Sequence, residues 1–175
     1  MPVSRLFLRT AAAALLIAIP SVATSAPKGN IIAAAQTSPN HKTLVAAIKA
    51  AKLVDDLASK GPLTVFAPTD AAFAELPAGT VDTLLKPENR DQLVKILTYH
   101  VVPGQFTAAA ILQLINQGGG SATLTTLEGS TLTATLQDGK VIVTDESGGS
   151  ATVITADLMQ SNGVIHVTDG VFLPK

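Results

Sequence analysis

Pro62-Leu63-Thr64-Val65-Phe66-Ala67-Pro68-Thr69-Asp70-Ala71-Ala72-Phe73 is the stretch from which the rest of the chain can be read. Residues 63–67 form a short β-type run, and an Ala-rich helical pattern begins directly after it. Pro68 offers no N–H to a strand ladder and biases Ala67 away from helical geometry, so the strand has to stop there. Thr69 or Asp70 can then accept a hydrogen bond from the free N–H groups of the new helix. With Thr69 as N-cap, Pro68 and Phe73 occupy the two positions of a hydrophobic staple.

Upstream, Asn30 is a plausible cap for a short helix over residues 31–36. Ser38-Pro39 reads as the start of the next helix, serine as N-cap and proline in the first turn. Leu44, Ile48, Ala51, Val54 and Ala58 recur there at helical spacing, up to the break at Lys60-Gly61-Pro62. Downstream, Pro77-Ala78-Gly79 interrupts the pattern, residues 80–85 read as a helical turn, and Pro87 opens another helix. That helix is expected to give way to a strand over residues 98–102, closed by Pro103-Gly104. Thr107 caps a last helix, which Gly118-Gly119-Gly120 ends as a flexible joint.

From Ser121 the period changes from 3.6 to 2. Leu132, Ala134 and Leu136 alternate with threonines, Asp138-Gly139 signals a hairpin, and residues 141–144 return. Strands over residues 151–156 and 164–168 follow, and Asp169-Gly170 turns the chain into residues 171–173. Helices first and a sheet second describe an α+β domain.

Three segments carry a family resemblance. Thr64-Val65-Phe66-Ala67-Pro68-Thr69-Asp70-Ala71-Ala72-Phe73 resembles the first signature block of the fasciclin domain family. Asn162-Gly163-Val164-Ile165-His166-Val167-Thr168-Asp169-Gly170-Val171-Phe172-Leu173-Pro174 resembles its second block, and Tyr99-His100-Val101-Val102-Pro103-Gly104 is similar to its central Tyr-His motif. The resemblance covers roughly residues 30–174. It implies a fasciclin-like domain: N-terminal helices packed on a wedge-shaped β-sandwich built mainly by the C-terminal half, with the early strand joining the late ones.

The chain has 175 residues, which suggests one domain over residues 27–175 once a leader is set aside. Arg5 and Arg9, the apolar run 11–19 and the small residues Thr24-Ser25-Ala26 read as a signal peptide over residues 1–26. Its apolar run is too short to span a bilayer, and no transmembrane span is expected in the mature chain. A retained anchor is the competing reading of that segment. With no cysteine there is no lipid-attachment thiol and no disulfide, so the core alone must stabilise an exported domain. The leader contains two of the 12 basic residues and none of the 13 acidic ones, leaving the mature chain at a formal charge of −3. No basic cluster or aromatic platform suggests nucleic acid.

Ionisable candidates are few. His41, His100 and His166 are the three histidines and show no metal-ligand spacing, so no metal and no cofactor is expected. A Thr69-His100-Asp70 hydrolase would lack the Gly-x-Ser-x-Gly elbow, and no catalytic residue is assigned. Strand alternation over residues 97–102 would place Leu97, Tyr99 and Val101 on one face and Thr98, His100 and Val102 on the other. Tyr99 should then lie against the core and His100 on the more polar side. The resemblance associates Tyr99-His100 with adhesion; the alternative is that both brace the fold. Thr69, Asp70 and His100 are expected to make structural polar contacts, with a charge-assisted hydrogen bond between Asp70 and His100 if the signature segments are neighbours.

By resemblance, the protein is a non-catalytic adhesion domain that is secreted, periplasmic or at the cell surface. Its partner would be a protein or matrix component, with weak self-association as one way for a lone domain to bridge surfaces. The alternative is a secreted or periplasmic binding module for a lipid or carbohydrate.

Overall fold

The computed structural model describes residues 29–59 and 61–175. The expected signal peptide lies outside them. Helices α1 (Ile31–Thr37), α2 (Lys42–Ala50) and α3 (Val54–Ser59) precede strand β1 (Leu63–Pro68). Helices α4 (Asp70–Ala74), α5 (Thr80–Leu84) and α6 (Arg90–Tyr99) follow, then β2 (Val101–Pro103) and α7 (Ala108–Gln117). The remaining strands are β3 (Ser121–Thr125), β4 (Thr131–Gln137), β5 (Lys140–Thr144), β6 (Ser150–Gln160) and β7 (Gly163–Thr168).

All seven strands join one sheet in the order β2-β1-β7-β6-β5-β4-β3. The early strand β1 is therefore central, antiparallel to β2 and parallel to β7, while the other pairings are antiparallel. The Leu127 N–H donates to the Val101 carbonyl at 2.7 Å, which draws the two ends of the sheet towards a near-barrel. This is the helices-then-sheet arrangement expected from the sequence.

Every residue of β1 and of β7 is buried, because both faces of that strand pair are covered. Leu63, Val65, Ala67 and Ile165 pack under the helices with Ile31, Leu44, Ile48, Leu93 and Leu97. Phe66 faces the other way, into a second core with Tyr99, Ile111, Leu124, Leu132, Val143 and Phe172. Gly163 is required where β7 starts, since a Cβ would collide with the Leu63 carbonyl of β1.

Several local expectations are corrected. Ser38 ends α1 and does not start the next helix. The long helix expected through Ala58 breaks at Lys52, whose φ is +57°, into α2 and α3. No strand forms at residues 98–100: α6 runs through Tyr99, because Leu93, Ile96, Leu97 and Tyr99 are all buried on it. The glycines after α7 form a tight junction, in which the Gly118 and Gly120 N–H groups donate to Leu114 and Ile115 and a Cβ on Gly118 would strike the Ser121 carbonyl. Strand β6 also runs on to Gln160, beyond the 151–156 expected.

Candidate functional site

The three signature segments meet at the β1–β7 pair, and each contributes polar side chains that tie distant parts of the chain together. At the exit of β1, Thr69 has extended backbone angles and its hydroxyl accepts from the Ala72 N–H at 3.2 Å, as an N-cap must. Asp70 reaches elsewhere. Its carboxylate accepts from the Thr43 N–H at 2.8 Å and the Lys42 N–H at 3.3 Å, so it caps α2 across 27 residues of sequence. His41, at the N-cap position of α2, makes no side-chain cap bond. Burial opposes the Asp70 charge, but the hydrogen bonds from Thr43 and Lys42 outweigh it and hold the carboxyl below its usual value.

Tyr99 ends α6 fully buried. Its hydroxyl donates to the Thr131 carbonyl at 3.2 Å and accepts from the Glu146 N–H at 3.0 Å, linking the helix to the strand half. Burial pushes its pKa above the usual tyrosine value. His100 is the C-cap residue of α6 and only 3% exposed, so it does not stand on a polar strand face. Its Nδ1–H donates to the Ile96 carbonyl at 2.8 Å, and Nε2 accepts from the Phe172 N–H at 3.0 Å. The second bond needs a lone pair on Nε2, which fixes the neutral Nδ1–H tautomer. Burial lowers the pKa to about 4. Asp70 and His100 therefore have separate partners, and the expected bond between them does not form: the carboxylate is spent on α2 and the imidazole on the C-terminal segment.

His166 repeats the His100 pattern on β7. Its Nε2–H donates to the Phe106 carbonyl at 2.6 Å, Nδ1 accepts from the Asp157 N–H at 3.4 Å, and the ring stacks on Phe66 with centroids 5.6 Å apart. Phe66 also meets Phe172 edge-on at 6.0 Å, and Phe172 lies tilted against His100 at 5.1 Å. These imidazoles are held neutral by burial and both ring nitrogens are already bonded. They can clamp backbone segments; they do not present a free base to solvent. Among the described residues no group of three His, Asp or Glu side chains could hold a metal ion.

Sequence reasoning missed three braces. The Asn162 side chain accepts from the Ile31 N–H at 2.9 Å and donates to the Leu57 carbonyl at 2.6 Å, joining α1, α3 and the β6–β7 hairpin. Asp157, with φ of +58° at a bulge of β6, accepts from the Ala108 N–H at 2.7 Å and caps α7. The Phe172 N–H completes the His100 clamp. Asn162 and Phe172 carried a signal, their place in the second signature block, but the turn reading of Asn162-Gly163 hid the first and nothing local named a partner for the second. What reaches solvent is different in kind: among the described residues the exposed large hydrophobics are Ile154, Leu158 and Met159 of β6, at 53%, 40% and 44%, together with Leu127 and Leu136 elsewhere.

A fasciclin domain profile matches residues 39–174. The chain is 53% identical over 157 residues to Protein sll1483 of Synechocystis sp., covering 90% of this chain and 80% of that protein. It is 37% identical to the immunogenic protein MPB70 of Mycobacterium bovis, over 82% of this chain and 68% of that one. Transforming growth factor-beta-induced protein ig-h3 of Sus scrofa is 34% identical over 85% of this chain, which spans 20% of ig-h3. The solved FAS1 domain pair of the insect cell adhesion molecule fasciclin I shares the fold, with a TM-score of 0.75 at 19% identity over 84% of this chain and 51% of that one.

Proposed function

The chain belongs to the fasciclin domain family, and from that premise we propose that it is a non-catalytic adhesion domain, exported from the cytoplasm, that binds a protein or matrix partner. The observation that carries this reading is the division of labour in the site: Tyr99 and His100 are buried and spent on internal hydrogen bonds, while three of the five large exposed apolar side chains among the described residues lie on β6. Recognition falls to that exposed strand, and the Tyr-His motif acts indirectly by holding the scaffold. Among the described residues no helix is long and apolar enough to cross a membrane. Weak self-association would let one domain bridge two surfaces.

The test is binding of protein-coated beads to the native cell surface. Saturable binding that Ile154→Asp with Met159→Asp reduces, while the thermal melt stays within about 0.5 kcal/mol of the parent as surface changes do, supports the proposal. Binding unchanged by those substitutions moves recognition off β6. Absence of any binding to surface or matrix rejects the adhesion reading.

A further inference from the structure

Among the described residues, the polar braces above leave one buried side-chain nitrogen outside their network. His41 is 6% exposed, its Nδ1 is paired with the Ser38 hydroxyl at 2.6 Å, and its Nε2 has no partner in hydrogen-bonding geometry, although the nearby Ala67 backbone acts on the ring and partly offsets its burial. His41 also lines a cavity of about 50 Å³ whose other walls are Ala34, Ala35, Ser38, Ala67, Leu158 and Ile165. The cavity thus lies between α1, the β1–β7 pair and the bulged part of β6. It exists because three of its walls are alanines on elements that otherwise pack closely.

An unsatisfied polar atom in such a place is costly, and natural proteins ordinarily pair it. A guest that bonds Nε2 and fills the apolar space relieves both deficits at once. The volume limits the guest. A single water needs about 10–15 Å³ and a benzene-sized cavity is about 150 Å³, so this space takes the end of a thin molecule and no ring. Leu158, 40% exposed, is the large wall residue that also reaches solvent, which gives the remainder of the guest a way out alongside an apolar side chain.

Charge narrows the choice further. Asp70 is near enough to His41 to act on it electrostatically, and its carboxyl is held ionised by the Lys42 and Thr43 N–H groups. A carboxylate guest would bring a second negative charge towards Asp70. We infer that this cavity is a binding site for the neutral, hydrogen-bonding end of an unbranched apolar chain, such as a primary alcohol, with its polar atom on His41 Nε2 and its chain leaving past Leu158. The inference does not depend on the adhesion reading: Leu158 belongs to both surfaces, but Ala34→Leu alters the cavity alone and the Ile154 and Met159 substitutions alter the exposed strand alone.

The probe is 1-octanol added to the folded protein, read by NMR on the His41 ring nitrogens and on the methyl groups of Ala34, Ala67 and Ile165. Saturable shifts in all of these are expected, with octanoate at pH 7 binding roughly tenfold more weakly, the equivalent of ~1.4 kcal/mol. Ala34→Leu, at a half-buried position, should fill the cavity and abolish the shifts while the rest of the spectrum stays folded. His41→Phe should weaken 1-octanol binding, and if that variant does not fold, the Ala34→Leu comparison decides alone. Shifts that persist in Ala34→Leu, the lack of saturable shifts at His41, or a bound water on Nε2 that 1-octanol never displaces would each overturn the inference.

Discussion

Asp70 and His100 perform similar tasks in opposite surroundings. Asp70, half-buried, accepts two N–H groups at the start of α2; His100, almost wholly buried, closes the end of α6 and grips the C-terminal segment. Each caps a helix and ties distant parts of the chain together: Asp70 caps α2 from 27 residues away, and His100 caps its own helix and holds the Phe172 N–H 72 residues on. Their exposure decides the consequences. Water can replace the partners of Asp70 if the carboxylate is removed, whereas nothing replaces those of His100. The pair thus separates two roles that a sequence motif alone does not: a polar residue at a boundary and a polar residue inside the core.

The largest effect that sharpens this contrast is expected from His100→Ala. It leaves a cavity and strands the Phe172 N–H and the Ile96 carbonyl in the interior, which should cost about 3–5 kcal/mol in urea unfolding. A loss below about 1 kcal/mol, the usual scale of a boundary cap, would erase the distinction from Asp70.

Acid should act next, and through His100 first. Its folded pKa is lowered by burial to about 4, so the unfolded chain takes up a proton near 6.5 while the folded chain does not. Stability is then complete above pH 6.5 and falls as pH drops towards 4, by up to ~1.4 kcal/mol per pH unit for each such histidine. His41 and His166, also lowered mainly by burial, add in the same direction. Unfolding followed at several pH values between 7 and 4.5 checks the slope, which should flatten in His100→Ala.

The smallest effect is expected at the boundary. Asp70→Ala removes one cap of α2 and should cost about 1 kcal/mol. Since the two residues share no hydrogen-bond partner, the losses of Asp70→Ala and His100→Ala should add to within about 0.5 kcal/mol in the double variant. A coupling well beyond that would mean that the two joints communicate.

The legible parts of this molecule were those whose causes are local. Pro68 and Thr69 determine where β1 stops and α4 starts from within three residues of sequence, and of the two caps the sequence offers, Thr69 and Asp70, the structure uses Thr69. Asn30 and Thr107 are read in the same way. The segment Thr98-Tyr99-His100-Val101-Val102 is rich in β-formers and reads as strand, yet burial of Leu93, Ile96, Leu97 and Tyr99 on one helix overrides that propensity. The strand-face argument for Tyr99 and His100 fails with it, although Tyr99 does lie in the core. Partners are the least legible. Thr43 for Asp70, Phe172 for His100 and Ala108 for Asp157 are 27, 72 and 49 residues away, and no local rule names them.

The central claim is that His100 is an internal brace. Long-range nitrogen–proton NMR of the His100 ring through a pH titration tests it most directly. The account predicts the Nδ1–H tautomer, unchanged from pH 7 to 5, with protonation only near pH 4 or on unfolding. An Nε2–H tautomer that titrates freely near 6.5 would contradict it.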